Sequence, residues 1–160
     1  MKEYFLIAIC IIVVIGIIYM VYPNKTAEAN KLEIGSSDYG QMYIDTDTVT
    51  TVKKDEQYFL VVNAEEYYTD EKFLEKLQAK ENIKDAGKIT GATYLYMFTN
   101  DGKYYCTPQT YLFDKDENVC VDLGSDLELK VVDNEVLFNI YTKALDALSQ
   151  KQQTRNMFKF

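Results

Sequence analysis

The stretch GATYLYMFTNDGKYYCTPQTYLFDKDENVCVDL, residues 91–123, constrains the fold more than any other part of the chain. It is rich in β-branched and aromatic residues and is interrupted twice by turn chemistry. Asn100-Asp101-Gly102 is a tight-turn signal, because Gly accepts positive φ without cost. Asp114 to Asn118 closes a second turn. The spacing predicts strands over 92–99, 103–113 and 118–123, paired as two hairpins in series. Pro108 removes one ladder donor, so its strand is expected to carry a bulge or an exposed side there.

Upstream, YFLVVNAEEYY (58–68) is the strongest single strand. Phe59 and Val61 fall on one face, Tyr58, Leu60 and Val62 on the other, so a central position is expected. QMYID (41–45) is read as a short strand. Turns are expected around Asp45-Thr46-Asp47 and around Lys54-Asp55-Glu56.

The period then changes. Thr69 can cap a helix over 70–82, with Asp70 and Glu71 at its positive dipole end and Phe73, Leu74 and Leu77 as a narrow apolar stripe. Near the end, Val136, Leu137, Ile140, Tyr141, Ala144, Leu145 and Leu148 recur at helical spacing, behind Asp133 or Asn134 as a cap. That broad face must be buried against the sheet. The expected fold class is α+β: an antiparallel sheet of about five to six strands covered by a C-terminal helix.

An apolar run precedes this domain. Tyr4–Tyr22 contains no charge, no Pro and a single Gly. At ~1.5 Å per residue it is long enough to cross a hydrocarbon core of ~30 Å. It can act as a transmembrane anchor, or as a signal peptide cut after the small-x-small triplet Ala27-Glu28-Ala29. Both readings export the downstream domain and place it in the cell envelope, outside the cytoplasm. A lipidated Cys10 fits poorly, because bulky Ile9 precedes it within the apolar run. The expected organisation is 1–29 anchor or signal peptide, 30–38 linker, 39–150 folded domain and 151–160 flexible tail.

Charge and composition narrow the function. The net charge of −8 belongs to the domain, since Lys2 and Glu3, and Lys25 and Glu28, cancel in the leader. That excludes the basic footprint nucleic acid needs. The chain has no His, which removes the usual general base, the Ser-His and Cys-His nucleophile pairs and the commonest zinc ligand. No phosphate loop, nucleophile elbow or dinucleotide motif is present. Asp114, Asp116 and Asn118 are spaced like the start of a calcium loop, but Val119 and Ser125 stand where its Gly and Glu belong. A hairpin turn is the expected role there, and again for Asp45 and Asp47. Neither a catalytic residue nor a cofactor or metal is expected.

Cys106 and Cys120 sit on successive strands. Pairing of Phe113 near 118 or 119 leaves them too far apart for a disulfide unless the chain bends at Pro108. Two buried free thiols and a rescued disulfide both remain open. Of the 14 Tyr residues, Tyr94, Tyr96, Tyr104, Tyr105 and Tyr111 crowd the hairpin region. They serve either as core packing or as an aromatic face for a protein partner.

Three segments taken together, YIDTDTVTTVKKDEQYFLVVNAEEYY, YLYMFTNDGKYYCTPQTYLFDKDENVCVDL and VVDNEVLFNIYTKALDAL, resemble the surface-adhesin protein E family of exported bacterial proteins. The resemblance spans roughly residues 39–149. It implies a small antiparallel sheet with a C-terminal helix on one face, display on the cell envelope, adhesion to extracellular-matrix proteins and dimers. The chain departs from the family in lacking a Cys in the terminal helix and in lacking Trp, so no binding residue is carried across. The expected function is a non-enzymatic binding module with a protein partner. The alternative is a structural or assembly component of the envelope.

Overall fold

The structure, a computed structural model, describes residues 30–80, 83 and 85–157. The expectations for residues 1–29, including the membrane span 4–22, lie outside the described residues. Among the described residues, no helix is long and apolar enough to cross a membrane.

Six strands form one antiparallel sheet in the order of the chain: β1 (Lys31–Ser36), β2 (Gly40–Lys54), β3 (Gln57–Tyr68), β4 (Ile89–Thr99), β5 (Tyr104–Asp114) and β6 (Val119–Val131). A short helix α1 (Glu71–Gln78) lies between β3 and β4, and a long helix α2 (Glu135–Met157) ends the fold. The α+β class arises directly from the two apolar periods in the sequence.

Each hairpin has a local cause. Asp55 and Glu56 both adopt positive φ, giving the β2–β3 turn the twist that antiparallel neighbours require. Gly102 supplies φ +68° between β4 and β5. Asp114 Oδ1 accepts the N–H groups of Asp116 and Asn118 between β5 and β6. The bulge expected at Pro108 is present: the pairing steps from Leu95↔Gln109 to Met97↔Cys106, leaving Thr107 and Pro108 opposite Tyr96 alone.

Alternation along β3 creates two sheet faces. Leu60, Val62 and Ala64 join Met42, Ile44, Val49, Tyr96 and Phe98 beneath Leu137, Ile140, Ala144 and Ala147 of α2. This is the covered face. At its other end Leu77 of α1 packs with Ile89, Ala92 and Leu112. The helix cap is Asp70, whose side chain accepts from Phe73 N at 2.8 Å. Thr69 does not hold that role, and α1 ends at Gln78 rather than 82.

Helix α2 is fastened at both ends as well as along its length. Asn134 Oδ1 accepts from Leu137 N at 3.0 Å, capping the start. The Tyr141 hydroxyl donates to Asn100 O at 2.7 Å, and its ring lies where a Cβ on Gly102 would stand. Nearer its other end, Lys151 Nζ donates to Asp47 O at 2.7 Å. The bulged stretch of β2 between Asp45 and Thr50 presents that carbonyl.

Four expectations are corrected. Residues 31–36 are not a linker but the first strand, because Lys31 to Ser36 complete the ladder of β2. Asp45 to Asp47 do not end a strand: β2 continues to Lys54 through a bulge. The last strand runs on to Val131, not 123. The helix continues through Lys151 to Met157, where a flexible tail was expected.

Leu145 also departs from the expected core. It is 42% exposed, whereas Ile140 is 0%. Residues 137, 140, 144 and 147 form the inward stripe, and 145 lies about 100° round the helix from 144. Ile140→Ala should therefore cost about 2–4 kcal/mol of stability, because it removes fully buried methyl groups and leaves a cavity. Leu145→Ala should stay within about 1 kcal/mol. Urea unfolding of the two variants checks this; equal losses would contradict the packing described.

Candidate binding surface

The opposite, open face of the sheet carries the side chains that α2 does not use. Among the described residues, no helix packs on it. Even so Val61 is 1% exposed, amid Phe59, Leu95, Met97 and Cys106. Those neighbours, with Val52, enclose it, and the sheet is also strongly curved. In a flat sheet β1 and β5 would be about 19 Å apart, four strand spacings. Yet Lys31 Nζ of β1 reaches Glu117 Oε1, in the β5–β6 turn, at 2.8 Å. The two extended side chains span far less than that distance, so the sheet curls towards the open face.

The meeting point is a clasp over β3. Lys31 Nζ contacts Glu65 Oε2 at 2.7 Å and the Tyr67 hydroxyl at 2.7 Å. That hydroxyl lies 2.8 Å from both Glu65 and Glu117 carboxylate oxygens. Gly91 stands between Tyr67 and Phe113 in the ladder, and without a Cβ there the two rings meet edge to face at 5.3 Å. Burial alone would lower the Lys31 pKa, but hydrogen bonds to Glu117, Glu65 and Tyr67 outweigh it and hold the ammonium well above the ordinary lysine value. Burial raises the Tyr67 phenol; Lys31 opposes this, and both carboxylates add to it.

The five tyrosines singled out in the sequence do not form one surface. Tyr96 is buried, and its ring lies against Phe98 and Tyr105 on the covered face. Tyr94 donates to the buried carboxylate of Glu66 at 2.9 Å, beside the hydrogen bond that Ser37 makes to the same carboxylate. These three, Tyr94, Tyr96 and Tyr105, belong to the helix-covered core. Tyr104 is exposed at the edge of the open face, and half-buried Tyr111 lies opposite Thr93. The alternation along each strand separates the two groups.

Sequence reading missed the most exposed apolar feature. Val119, Leu123, Leu127, Leu129 and Val131 of β6 are each 49–59% exposed. Among the described residues β6 has one unpaired edge, where Leu127, Leu129 and Val131 recur at strand spacing as an aliphatic ridge continued by Tyr104, which pairs with Val131; Leu123 and Val119 follow beyond irregularities in the ladder. Singly exposed aliphatic residues are ordinary on soluble proteins, but Leu127, Leu129 and Val131, alternating along one strand beside exposed Tyr104, form a grouping of the kind that marks an interaction site. The signal was available: DLELKV alternates apolar and charged residues with the period of a strand.

Cys106 and Cys120 are free thiols in separate apolar clusters. Burial raises both above the ordinary thiol value. Asp114 is occupied by its own turn. Among the described residues, no group of three or more Cys, Asp or Glu side chains stands in metal-holding geometry. Comparison of the chain with family models, curated proteins and solved structures yields no match.

The raised phenols give a pH prediction. Tyr68 is pushed up to about 12, first by burial, and Tyr94 and Tyr96 are raised further by the same cause. Unfolded tyrosine ionises near pH ~10. The contribution of these groups is thus complete below that value and is lost as pH rises through their folded values. Lys31 acts in the same sense. Alkaline titration should show a late tyrosinate absorbance step that coincides with loss of far-ultraviolet circular dichroism. Complete tyrosine ionisation with the native spectrum retained would refute it.

Proposed function

We propose that this protein is an exported, envelope-associated, non-enzymatic module that acts by binding another protein through the β6 ridge and the adjoining rim of the open face. Residues 4–22 hold it at the membrane, or their cleavage releases it. The observation that carries the reading is the ridge itself. Its aliphatic side chains stand half exposed on a chain whose helices already have a complete core beneath them. Burying one such side chain in a partner contributes roughly 1.5–3 kcal/mol before the costs of association. A few therefore suffice to make a specific contact.

The resemblance to the surface-adhesin protein E family supports display at the envelope and a protein ligand. The N-terminal apolar run supports export. The polar clasp of Lys31, Glu65, Tyr67 and Glu117 serves in this reading as a brace, holding the hairpin that carries the ridge in a fixed position.

A photo-crosslinking residue placed at Leu127 or Leu129 of the full chain in intact cells tests the proposal. The expected result is a discrete protein adduct from these positions and none from exposed Lys72 on α1. Equal or absent labelling at all three positions overturns it. External protease on the same cells then separates the two envelope settings. Degradation is expected for a surface adhesin, and protection identifies an internal assembly component.

A further inference from the structure

A free edge strand ordinarily receives a partner by strand addition, through a straight row of unpaired N–H and C=O groups. The β6 edge is not straight. Between the pairs Tyr105↔Lys130 and Thr107↔Asp126, only Cys106 remains on β5, whereas Leu127, Glu128 and Leu129 remain on β6. The longer strand must buckle. Asp126 Oδ1 accepts the Glu128 N–H at 3.1 Å within the buckle. A second irregularity lies at Gly124, where φ is +82° and the N–H donates to Asp122 Oδ1 at 2.7 Å. Two stretches of the edge are thus spent on the strand's own side chains. What the edge offers is its side chains.

Those side chains have a definite chemistry. Asp122, Asp126 and Glu128 alternate with Leu123, Leu127 and Leu129. Asp126 is neutralised by Lys130 at 2.5 Å. Among the described residues, Asp122 and Glu128 have no cation within salt-bridge distance. The chain as a whole carries −8 and so adds a field of the same sign. Two copies of the ridge would bring like charges together, and an acidic partner would be repelled.

We infer that the ridge receives a segment with an apolar face rimmed by Lys or Arg, held by side-chain contacts and not by an added strand. The inference rests on the reading of β6 as the partner-binding surface and specifies that partner's chemistry.

Synthetic amphipathic helical peptides of Leu with Lys, Leu with Gln and Leu with Glu serve as probes. Each is titrated by fluorescence polarisation against the full chain in zwitterionic lipid nanodiscs, with empty nanodiscs as the blank. The Leu/Lys peptide should bind, and its affinity should fall as salt rises. Leu127→Ser with Leu129→Ser should weaken it by about tenfold or more, or roughly 1.4 kcal/mol. Asp122→Asn with Glu128→Gln should also weaken it and flatten the salt dependence. All four positions are exposed or held by their own strand, and thermal melting confirms that the variants fold. Equal binding of the Gln or Glu peptide, lost in the Leu→Ser variant, refutes the charge rule while leaving a binding ridge. No peptide binding above the blank refutes the ridge itself. Self-association abolished by the Leu→Ser changes makes the occupant a second copy and overturns the inference.

Discussion

The contact between α2 and the covered sheet face is the interaction on which the other features depend. Ile140 and Phe98 are fully buried, and Ala144 and Ala147 let the helix backbone come close to the strands. Small residues on one partner and large ones on the other give the interdigitation of a dense core. Tyr141 and Lys151 add directional bonds to carbonyls at opposite ends of the contact. The helix is therefore fixed in position along the sheet as well as attached to it.

With one face taken by both helices, the other face has to protect its own apolar residues. Phe59, Val61, Leu95, Met97 and Cys106 do so by packing on one another. The sheet curls until the β1 edge and the β5–β6 turn meet, and Lys31, Glu65, Tyr67 and Glu117 hold that closure. Half-exposed ion pairs contribute little to stability individually. Their role here is geometric: they join segments far apart in the sheet, while further along β3 Val61, Leu95 and Met97 are buried among Phe59, Cys106 and Val52. Leu123, Leu127, Leu129 and Val131 of β6 join none of the buried clusters and stand exposed as the aliphatic ridge.

Much of the architecture was legible because it depends on neighbours along the chain. The Asn100-Asp101-Gly102 turn, the two-faced strand at Phe59 to Val62 and the bulge at Pro108 are local effects of backbone sterics and side-chain alternation. The first strand was not legible. Lys31 to Ser36 are mostly polar and become a strand only because β2 offers an open ladder. Leu145 was misplaced for a related reason. The apolar sequence stripe is wider than the contact, and the angle at which α2 meets the sheet selects which flank is buried. At the candidate site, Tyr94, Tyr96 and Tyr105 looked equivalent to Tyr104 and Tyr111, since composition does not say which sheet face the helices will occupy.

Sequence alone determined the α+β class, the hairpins, the acidic charge and the absence of histidine chemistry, because each depends on residue type and short-range spacing. Tertiary structure decided which face is covered, how the sheet curls and which aliphatic residues remain outside. Those outcomes come from contacts between residues up to about a hundred positions apart, such as Lys31 with Glu117 and Asp47 with Lys151. Periodicity along the chain carries no record of such pairs, because burial is settled only when separate elements compete for the same surface.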